Sequence, residues 1–472
     1  MNASRRHFLR ASVSLAATPS VQRASAPLVM SLAGMAALAS QGSVAANTGN
    51  GYRALVCLFM AGGNDGHNWV VPIDATGYAQ YANVRRELAW PAAKLLPITS
   101  HGQAVGRAFG MPEELQPLRQ WYESGRTAIV ANVGPLVRPI SVADYKAGVG
   151  LPARLYSHND QQSTWQSLSP EGARSGWGGR MGDILMSANP YPVFTAVSAT
   201  GNAVFLTGSS VTQYQVGPDG PVSVRALGAA SSLGSVTAPR VLQNSLVSSG
   251  NTAMQAEYVR VMQRAIASDA VLQAALQTAS VPAVPGTPIT DSNPAATLDK
   301  DNLARQLRMV AQMIGAGQAM GMRRQVFMVQ IGGFDSHNNQ MRDQPVLMSR
   351  VAQSASYFLS AIETMGLLDK VMLFSASDFG RTLTSNGDGS DHGWGNHHFV
   401  AGGGVKGRNL YGQFPITALN TSTDVGSGRL LPTTSVTEFA ATLGGWMGLT
   451  PTEQAMVLPN LGSFGSPQLA FA

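Results

Sequence analysis

The chain has 472 residues, of which 44% are hydrophobic and 12% are charged, so it can bury a large core in one large domain or a few small ones. Its formal net charge of +6 has a local origin, because residues 1–45 contain four arginines and no acidic residue, which leaves +2 for the remainder. A nearly neutral remainder gives no support for nucleic-acid binding, and a single cysteine excludes a disulfide framework.

The N-terminus has the features of an export signal. Residues Ser4–Arg10, SRRHFLR, contain the adjacent arginines followed by Phe and Leu that are typical of a twin-arginine signal. The apolar stretch Ala26–Ser40 has 15 residues, fewer than the roughly 20 that a membrane-spanning helix needs, and a small-residue cleavage site follows near Ala45 or Ala46. We therefore expect a signal peptide over residues 1–45, export through the twin-arginine translocase, a periplasmic or secreted protein, and no stable membrane span. The alternative is a membrane anchor.

Beyond the signal, short β-branched apolar runs alternate with helical patterns. The runs lie at residues 54–60, 127–133, 193–199, 325–331, 371–377 and 397–403, and the helical patterns lie at residues 112–124, 252–279, 296–319, 345–366 and 435–447. Strands that alternate with helices predict an α/β fold with a mainly parallel sheet. We interpret residues 46–472 as a single domain with a β-rich or loop-rich insertion near 200–250, and residues 280–294 as an exposed loop.

Three of these predicted strands run into similar polar sequences, which are AGGND, GGFDSH and DFGR. They place Asp65, Asp335 and Asp378 just beyond the carboxyl ends of their strands, where ligands bind in open parallel sheets. Converging carboxylates repel one another unless a cation lies between them. Together with His337 and His392, they predict a site for one or more divalent metal ions, with Zn, Mn, Fe, Mg and Ca not distinguished. The alternative for any single aspartate is a helix N-cap or a turn.

The segment Ser377–Gly404 is rich in histidine, and it contains so much Gly, Ser and Asn that little of it can be a regular helix. His392 is the histidine of this segment that we expect to bind metal. His397 and His398 begin a predicted strand, and because side chains alternate along a strand, at most one of the two should face the metal.

A further candidate segment is LYSHNDQQSTWQS, residues Leu155–Ser167. Ser157 and His158 are candidates for catalysis, because a hydroxyl at a helix N-terminus beside a metal can act as a nucleophile. The alternative is that Ser157 only caps the helix. Other catalytic motifs are missing, since the sequence has no G-x-S-x-G, no phosphate-binding loop with a Gly-Lys pair and no H-E-x-x-H. These gaps favour metal-assisted chemistry.

Four motifs then stand out: GGNDGHNWVVP (62–72), YSHNDQQSTWQ (156–166), GGFDSHNNQ (332–340), and SDFGRT with DHGWGNHHFVAGGGVKG (377–382 and 391–407). With the export signal they resemble an exported family of unknown function, the domain-of-unknown-function 1501 type, within the alkaline phosphatase and sulfatase superfamily. The resemblance implies a three-layer α/β/α sandwich, one or two metal ions at the carboxyl edge of the sheet, a nucleophile after the second strand, and hydrolysis of phosphate or sulfate esters.

The resemblance also implies roles for single residues. By position, Asp65 is similar to the first metal-binding aspartate of the superfamily, Asp335 and His337 to its middle Asp/His pair, Asp378 to its later aspartate, and His392 to its last histidine.

Two departures from the superfamily pattern matter for the chemistry. The superfamily often has Asp-His where this chain has Asp378-Phe379, so one expected ligand is missing or comes from elsewhere. Cys57 lies in a predicted strand and is followed by Leu-Phe-Met rather than by C-x-P-x-R, which excludes a formylglycine nucleophile. A Ser or Thr nucleophile and a metal-activated water both remain open.

The leading hypothesis is an exported, metal-dependent hydrolase of a phosphate or sulfate ester, either a small molecule or a polysaccharide. The metal would polarise the ester and activate the attacking hydroxyl or water, and Arg381 would stabilise the charge on the transferring group. The alternative hypothesis is a non-catalytic exported protein that keeps the phosphatase-like fold for binding to a surface polysaccharide or an assembly partner. The missing Asp-His pair and the lack of a clear nucleophile favour this alternative.

Overall fold

The computed structural model describes residues 51–221, 235–248, 252–465 and 468–472. The predicted signal peptide and its cleavage site lie outside the described residues, as does part of the predicted insertion. Among the helices of the described residues, none combines the length and the apolar character that crossing a membrane requires.

The strands are listed here in chain order: β1 (Arg53–Met60), β2 (Val71–Pro72), β3 (Leu95–Ile98), β4 (Phe109–Pro112), β5 (Thr127–Gly134), β6 (Ala196–Ser198), β7 (Tyr214–Gly217), β8 (Gly220–Pro221), β9 (Pro288–Thr290), β10 (Asn293–Thr297), β11 (Arg324–Ile331), β12 (Val371–Ser377), β13 (Arg381–Ser385), β14 (Ser390–His392), β15 (Asn396–Ala401), β16 (Leu410–Tyr411) and β17 (Thr434–Ser435).

A ten-stranded, mostly parallel sheet forms the centre of the fold, in the order β16-β5-β15-β12-β1-β11-β6-β7-β8 with β17 beside β5. Strands β12, β1 and β11 lie side by side and run parallel. Strand β15 is antiparallel to both of its neighbours, β12 and β5. Outside this sheet, β13 and β14 form an antiparallel hairpin directly after β12. That hairpin carries part of the candidate site.

The helices are α1 (Ala75–Arg85), α2 (Gln116–Glu123), α3 (Val142–Lys146), α4 (His158–Ser167), α5 (Trp177–Leu185), α6 (Ala238–Leu246), α7 (Ala253–Leu276), α8 (Asn302–Ala319), α9 (Gln340–Thr364), α10 (Val436–Met447) and α11 (Pro451–Val457).

Helices cover both faces of the central sheet. Alternate side chains of β1 point to opposite faces, so Val56 and Leu58 pack into one core with residues of α2, α8 and α9. Cys57 and Phe59 pack into the other core with residues of α4, α5 and α10. This arrangement confirms the predicted α/β/α sandwich with a mainly parallel sheet.

The predicted core strands are confirmed with small shifts at their ends. The largest shift is at 193–199, where the strand begins only at Ala196 because Pro192–Phe194 form a turn of 3₁₀ helix. Helix α9 begins at Gln340, before the predicted start at Pro345. Its extra first turn carries Gln340 and Gln344, whose side chains bond to Asp65, so tertiary contacts stabilise a turn that local sequence does not indicate.

Two segments contain regular structure that their composition does not predict. Residues 280–294, predicted as a loop, contribute to the short hairpin of β9 and β10. Within the segment near 200–250, the described residues include helix α6 besides the short strands β7 and β8. Pro239 lies in the first turn of α6, where its fixed φ angle favours helix initiation.

Candidate metal centre

The carboxyl ends of β12, β1 and β11 meet at one edge of the sheet, because Met60 pairs with Ser377 on one side and with Ile331 on the other. The loops after these strands therefore start together. Gly62 has a φ angle of +114°, and a Cβ atom there would lie 2.4 Å from the backbone nitrogen of Asp335. Only glycine allows this close approach of two loops.

His158, Asp335 and His392 form a compact group at this edge, with one ligand atom of each lying within 4.8 Å of the others. The Nε2 atom of His392 lies 3.2 Å from Oδ1 of Asp335, and Nε2 of His158 lies 3.4 Å from Oδ2 of Asp335. The three side chains come from the start of α4, the loop after β11 and the end of β14. All three are partly exposed, so the group is open to solvent.

The second ring nitrogen of each histidine in the group has its own partner. Nδ1 of His392 lies 2.8 Å from the carbonyl oxygen of Tyr156, which only accepts, so Nδ1 carries the proton and Nε2 presents a lone pair. Nδ1 of His158 lies 2.6 Å from Oδ2 of Asp378. The Asp378 contact raises the pKa of His158, whereas burial lowers the pKa of His392. Such partners orient histidine ligands in metal sites.

Arg381 lies buried beside the group. Its Nη1 donates to Oδ1 of Asp335 at 2.8 Å, and its Nη2 donates to the carbonyl oxygen of Ser390. Burial acts to raise the pKa of Asp335, but the hydrogen bond and the charge of Arg381, together with the charges of His158 and His337, outweigh burial, so this pKa lies below its usual value. Arg381 therefore keeps the Asp335 carboxylate ionised.

Asp378 lies at the same edge and is connected to the group through His158. Its Oδ1 accepts from the backbone nitrogen of Gly62 at 3.1 Å, and its Oδ2 accepts from Nε2 of Gln162 at 2.8 Å. The carboxylate is fully buried, and each of its oxygens has at least one partner. The structure thus places Asp378 behind His158.

Asp65 lies deeper than the group. It forms a buried ion pair with Arg85, and the same oxygen accepts from Nε2 of Gln340. Arg85 also donates to the carbonyl oxygen of Thr382 at 2.8 Å. Of the five predicted metal ligands, Asp65 and Asp335 are each paired with a guanidinium, and only in the Asp65–Arg85 pair are both side chains fully buried.

His337 borders the group. Its Nε2 lies 3.1 Å from Oδ1 of Asp335 and 2.9 Å from Nε2 of His392. Its Nδ1 lies 3.2 Å from Oδ1 of Asp391. The predicted Asp335/His337 pair and His392 are thus brought together.

The other candidate residues have different surroundings. The hydroxyl of Ser157, at the N-cap position of α4, donates to Asp160 at 2.9 Å. His397 stacks on Phe414 with ring centroids 4.3 Å apart, and His398 packs against Trp165. Both histidines are buried in β15 and neither belongs to the group.

Sequence reasoning missed Arg85 and Gln162. Arg85 meets Asp65 only through the fold, so the sequence carries no signal for that pair. Gln162 follows His158 by four residues in α4, which puts both side chains on one helical face. That spacing was the available signal for their shared contact with Asp378.

The fold and the site define an α/β protein with a candidate His/Asp metal centre at the carboxyl edge of its sheet. Residues 52–460 match the family described as Protein of unknown function (DUF1501), and the chain belongs to this family. None of the curated proteins matches the chain in sequence.

Similarity to solved structures is distant. Ps i-CgsB, in complex with k-i-k-neocarrahexaose, has 10% identity and a TM-score of 0.33, over 88% of this chain and 77% of that chain. The phosphonate monoester hydrolase of Agrobacterium radiobacter has 12% identity and a TM-score of 0.32, over 84% of this chain and 74% of that chain. Similarity at this level supports no functional conclusion.

Proposed function

We propose that the protein is a metal-dependent hydrolase of phosphate or sulfate esters, with its metal at His158, Asp335 and His392. The observation that carries this proposal is the convergence of three ligand-type side chains, open to solvent, where parallel-sheet proteins bind ligands. Two imidazole nitrogens and a carboxylate suit Zn, Mn or Fe, and three protein ligands with an open position are typical of catalytic zinc.

The bound ion would polarise the ester and lower the pKa of a water molecule. The chain's own residues orient the ligands. His158 supplies an imidazole near Asp378, where the superfamily pattern has a histidine and this chain has Phe379. The Phe379 ring lies against the rings of His158 and His392, at centroid distances of 4.8 and 4.5 Å. It provides an apolar wall that limits water beside the ligands.

Arg381 acts through Asp335 in this proposal. Its guanidinium is fully buried and is bonded to Asp335 and to Ser390, so it is a positioning residue that keeps the carboxylate ionised and fixed. This differs from the direct contact with the transferring group that the sequence suggests.

A metal-activated water is the nucleophile that the contacts favour. The Ser157 hydroxyl donates to Asp160, and within the described residues no side-chain hydrogen bond joins it to the three ligands. Water at an open coordination position needs no further side chain.

Export is part of the proposal. The twin-arginine pattern at Ser4–Arg10 supports a periplasmic or secreted location after transport by the twin-arginine translocase. That pathway carries folded proteins, so the metal can be inserted in the cytoplasm.

The test uses the full chain. Metal content is measured together with hydrolysis of aryl phosphates and aryl sulfates, with and without a chelator. We expect turnover that chelation abolishes and added metal restores, and we expect His392→Ala to lose both metal and turnover. His101→Ala changes an exposed histidine outside the group and should alter neither. A chain that binds no metal after reconstitution contradicts the proposal.

A second candidate function is metal-dependent binding without catalysis. Phe379 in place of a histidine favours it, because the site then lacks one group that the superfamily pattern supplies. A protein that binds metal yet hydrolyses none of these esters would support binding and reject hydrolysis.

A further inference from the structure

Three imidazoles around Asp335 share one arrangement. Each has an acceptor at Nδ1, and each directs Nε2 toward the Asp335 carboxylate. The acceptors are Asp378 for His158, Asp391 for His337 and the carbonyl oxygen of Tyr156 for His392. An acceptor at Nδ1 places the proton there and leaves the Nε2 lone pair free to bind a metal.

The close approach of His337 and His392 indicates a proton or a metal ion between the two rings. Their Nε2 atoms lie 2.9 Å apart, and both lie within 3.2 Å of Oδ1 of Asp335. If both Nδ1 atoms carry the proton, two lone pairs and a carboxylate oxygen face one another. Such a contact is unfavourable unless a proton or a metal ion lies between the atoms.

Three of the four side chains, His158, Asp335 and His392, form the compact group, and the fourth, His337, lies beside Asp335 and His392. The separations are 2.9, 3.1 and 3.2 Å among Nε2 of His337, Nε2 of His392 and Oδ1 of Asp335, and 3.4 Å between Nε2 of His158 and Oδ2 of Asp335. At metal–ligand distances of about 2.0–2.2 Å, neighbouring ligands of a tetrahedral ion lie roughly 3.3–3.6 Å apart. Small movements of these exposed side chains would complete the site.

Within the described residues, no second group of three such side chains lies together as a site for another ion. The Asp65 oxygen that faces Gln340 also faces Arg85, and both side chains of the Asp65–Arg85 pair are fully buried. The Asp378 carboxylate already has hydrogen-bond partners in Gly62, His158 and Gln162. In this chain the carboxylate that would hold a second ion is already neutralised by a guanidinium.

We propose that the centre holds a single divalent ion through His158, His337, His392 and Asp335, and that the Arg85 guanidinium replaces a second metal ion at Asp65. This inference deepens the proposed function, since it defines the metal site on which that function rests. It adds His337 to the three ligands of the proposed function, and it leaves Asp65 and Asp378, which the sequence suggests as ligands, outside the set.

Charge supports one ion over two. The three strand-end carboxylates, Asp65, Asp335 and Asp378, carry three negative charges, and Arg85 and Arg381 carry two positive charges. One divalent ion leaves the five groups with a net charge of +1, whereas two divalent ions leave +3. Asp65, Asp378, Arg85 and Arg381 are fully buried, and unbalanced charge among buried groups is costly, so the single ion is favoured.

The experiment measures metal stoichiometry of the full chain, without any substrate. The purified chain is stripped of metal, equilibrated with Zn²⁺ or Co²⁺, and analysed by elemental mass spectrometry and by the visible spectrum of Co²⁺. We expect one ion per chain. His337→Gln should weaken Co²⁺ binding more than about tenfold and should change the Co²⁺ spectrum. The loss of an outer-shell partner already weakens metal binding by about tenfold or more, and the loss of a ligand should weaken it at least as much. His101→Gln is the matched control and should bind as wild type.

A double variant tests the Arg85 assignment. Asp65→Asn combined with Arg85→Gln removes both charges and keeps polar groups of similar size, so the fold is protected from an unpaired buried charge. We expect this variant to bind one ion with wild-type affinity. Two ions per wild-type chain, falling to one in the double variant, would overturn the inference, and so would wild-type Co²⁺ binding by His337→Gln. If the double variant does not fold, the wild-type stoichiometry decides alone.

The outcome is separable from that of the proposed function. One ion per chain without turnover supports this inference and rejects the hydrolase. Two ions per chain with turnover would reject this inference and support the hydrolase.

Discussion

At the scale of single residues, Asp378 shows how a buried carboxylate can matter without belonging to the proposed ligand set. It is fully buried and accepts hydrogen bonds from the loop after β1, through Gly62, and from α4, through Gln162. Its contact with Nδ1 of His158 sets which nitrogen of that ring faces Asp335. The tautomer of His158 therefore depends on Asp378.

We expect Asp378→Asn to weaken metal binding by about 10- to 100-fold, the usual effect of losing an outer-shell partner. An asparagine amide that donates to Nδ1 moves the histidine proton to Nε2, where it blocks ligation. Competition with a chromophoric chelator measures the affinity. Asp369→Asn, at an exposed aspartate outside the site, is the control. Unchanged affinity in Asp378→Asn would show that His158 is oriented by something else.

At the scale of elements, the loop after β1 decides how closely the strand ends approach. Gly62 combines a positive φ angle with a distance of 2.4 Å from its missing Cβ position to the backbone of Asp335. Gly201 also has a positive φ angle, +91°, but has open space around its missing Cβ. The two glycines therefore separate backbone strain from steric contact.

Gly201→Ala should cost about 1–3 kcal/mol of unfolding free energy, the usual range for a residue held in an unfavourable backbone conformation. Gly62→Ala should cost more, because the loop carrying Asp335 must also move, and it should weaken metal binding. Urea unfolding and metal titration of both variants provide the comparison. Equal losses of stability and unchanged metal binding in the two variants would mean that the close approach of the loops is not required.

Elements were predictable wherever local pattern determines them. The ends of the buried strands β1, β11 and β12 were predicted within a residue or two, because short continuous runs of β-branched apolar residues are typical of strands that are buried on both faces. The first turn of α9 was not predicted, because it is stabilised by hydrogen bonds from Gln340 and Gln344 to Asp65, which lies far away in the sequence. Side-chain contacts over such separations leave no local signal.

At the scale of the whole molecule, β15 brings histidine into the core of the sheet. It runs antiparallel between β12 and β5, and His398 is buried there against Trp165. Burial, together with the neighbouring His397, lowers the pKa of His398 to about 3. The folded protein therefore keeps this ring neutral at pH values where the unfolded chain protonates it.

This difference predicts acid sensitivity. Between pH 6.5 and about pH 3 the unfolded state binds up to one proton more at His398 than the folded state does, so stability falls as the pH falls. The expected slope is about 1.4 kcal/mol per pH unit from this residue. Urea unfolding between pH 7 and pH 5 should show a smaller slope in His398→Gln, with a difference that rises from about a quarter of this value at pH 7 to nearly all of it at pH 5. An unchanged slope would mean that His398 is protonated in the folded protein.

The sequence by itself determined the α/β class, the buried strands and the polar residues at their ends, because hydrophobic periodicity and strand-end chemistry are local properties. It also placed Asp335, His337 and His392 among the candidate ligands. Only the tertiary structure decided which side chains meet. It set His158 beside Asp335 and paired Asp65 with Arg85, because those contacts depend on how α4 and α1 pack over the sheet edge.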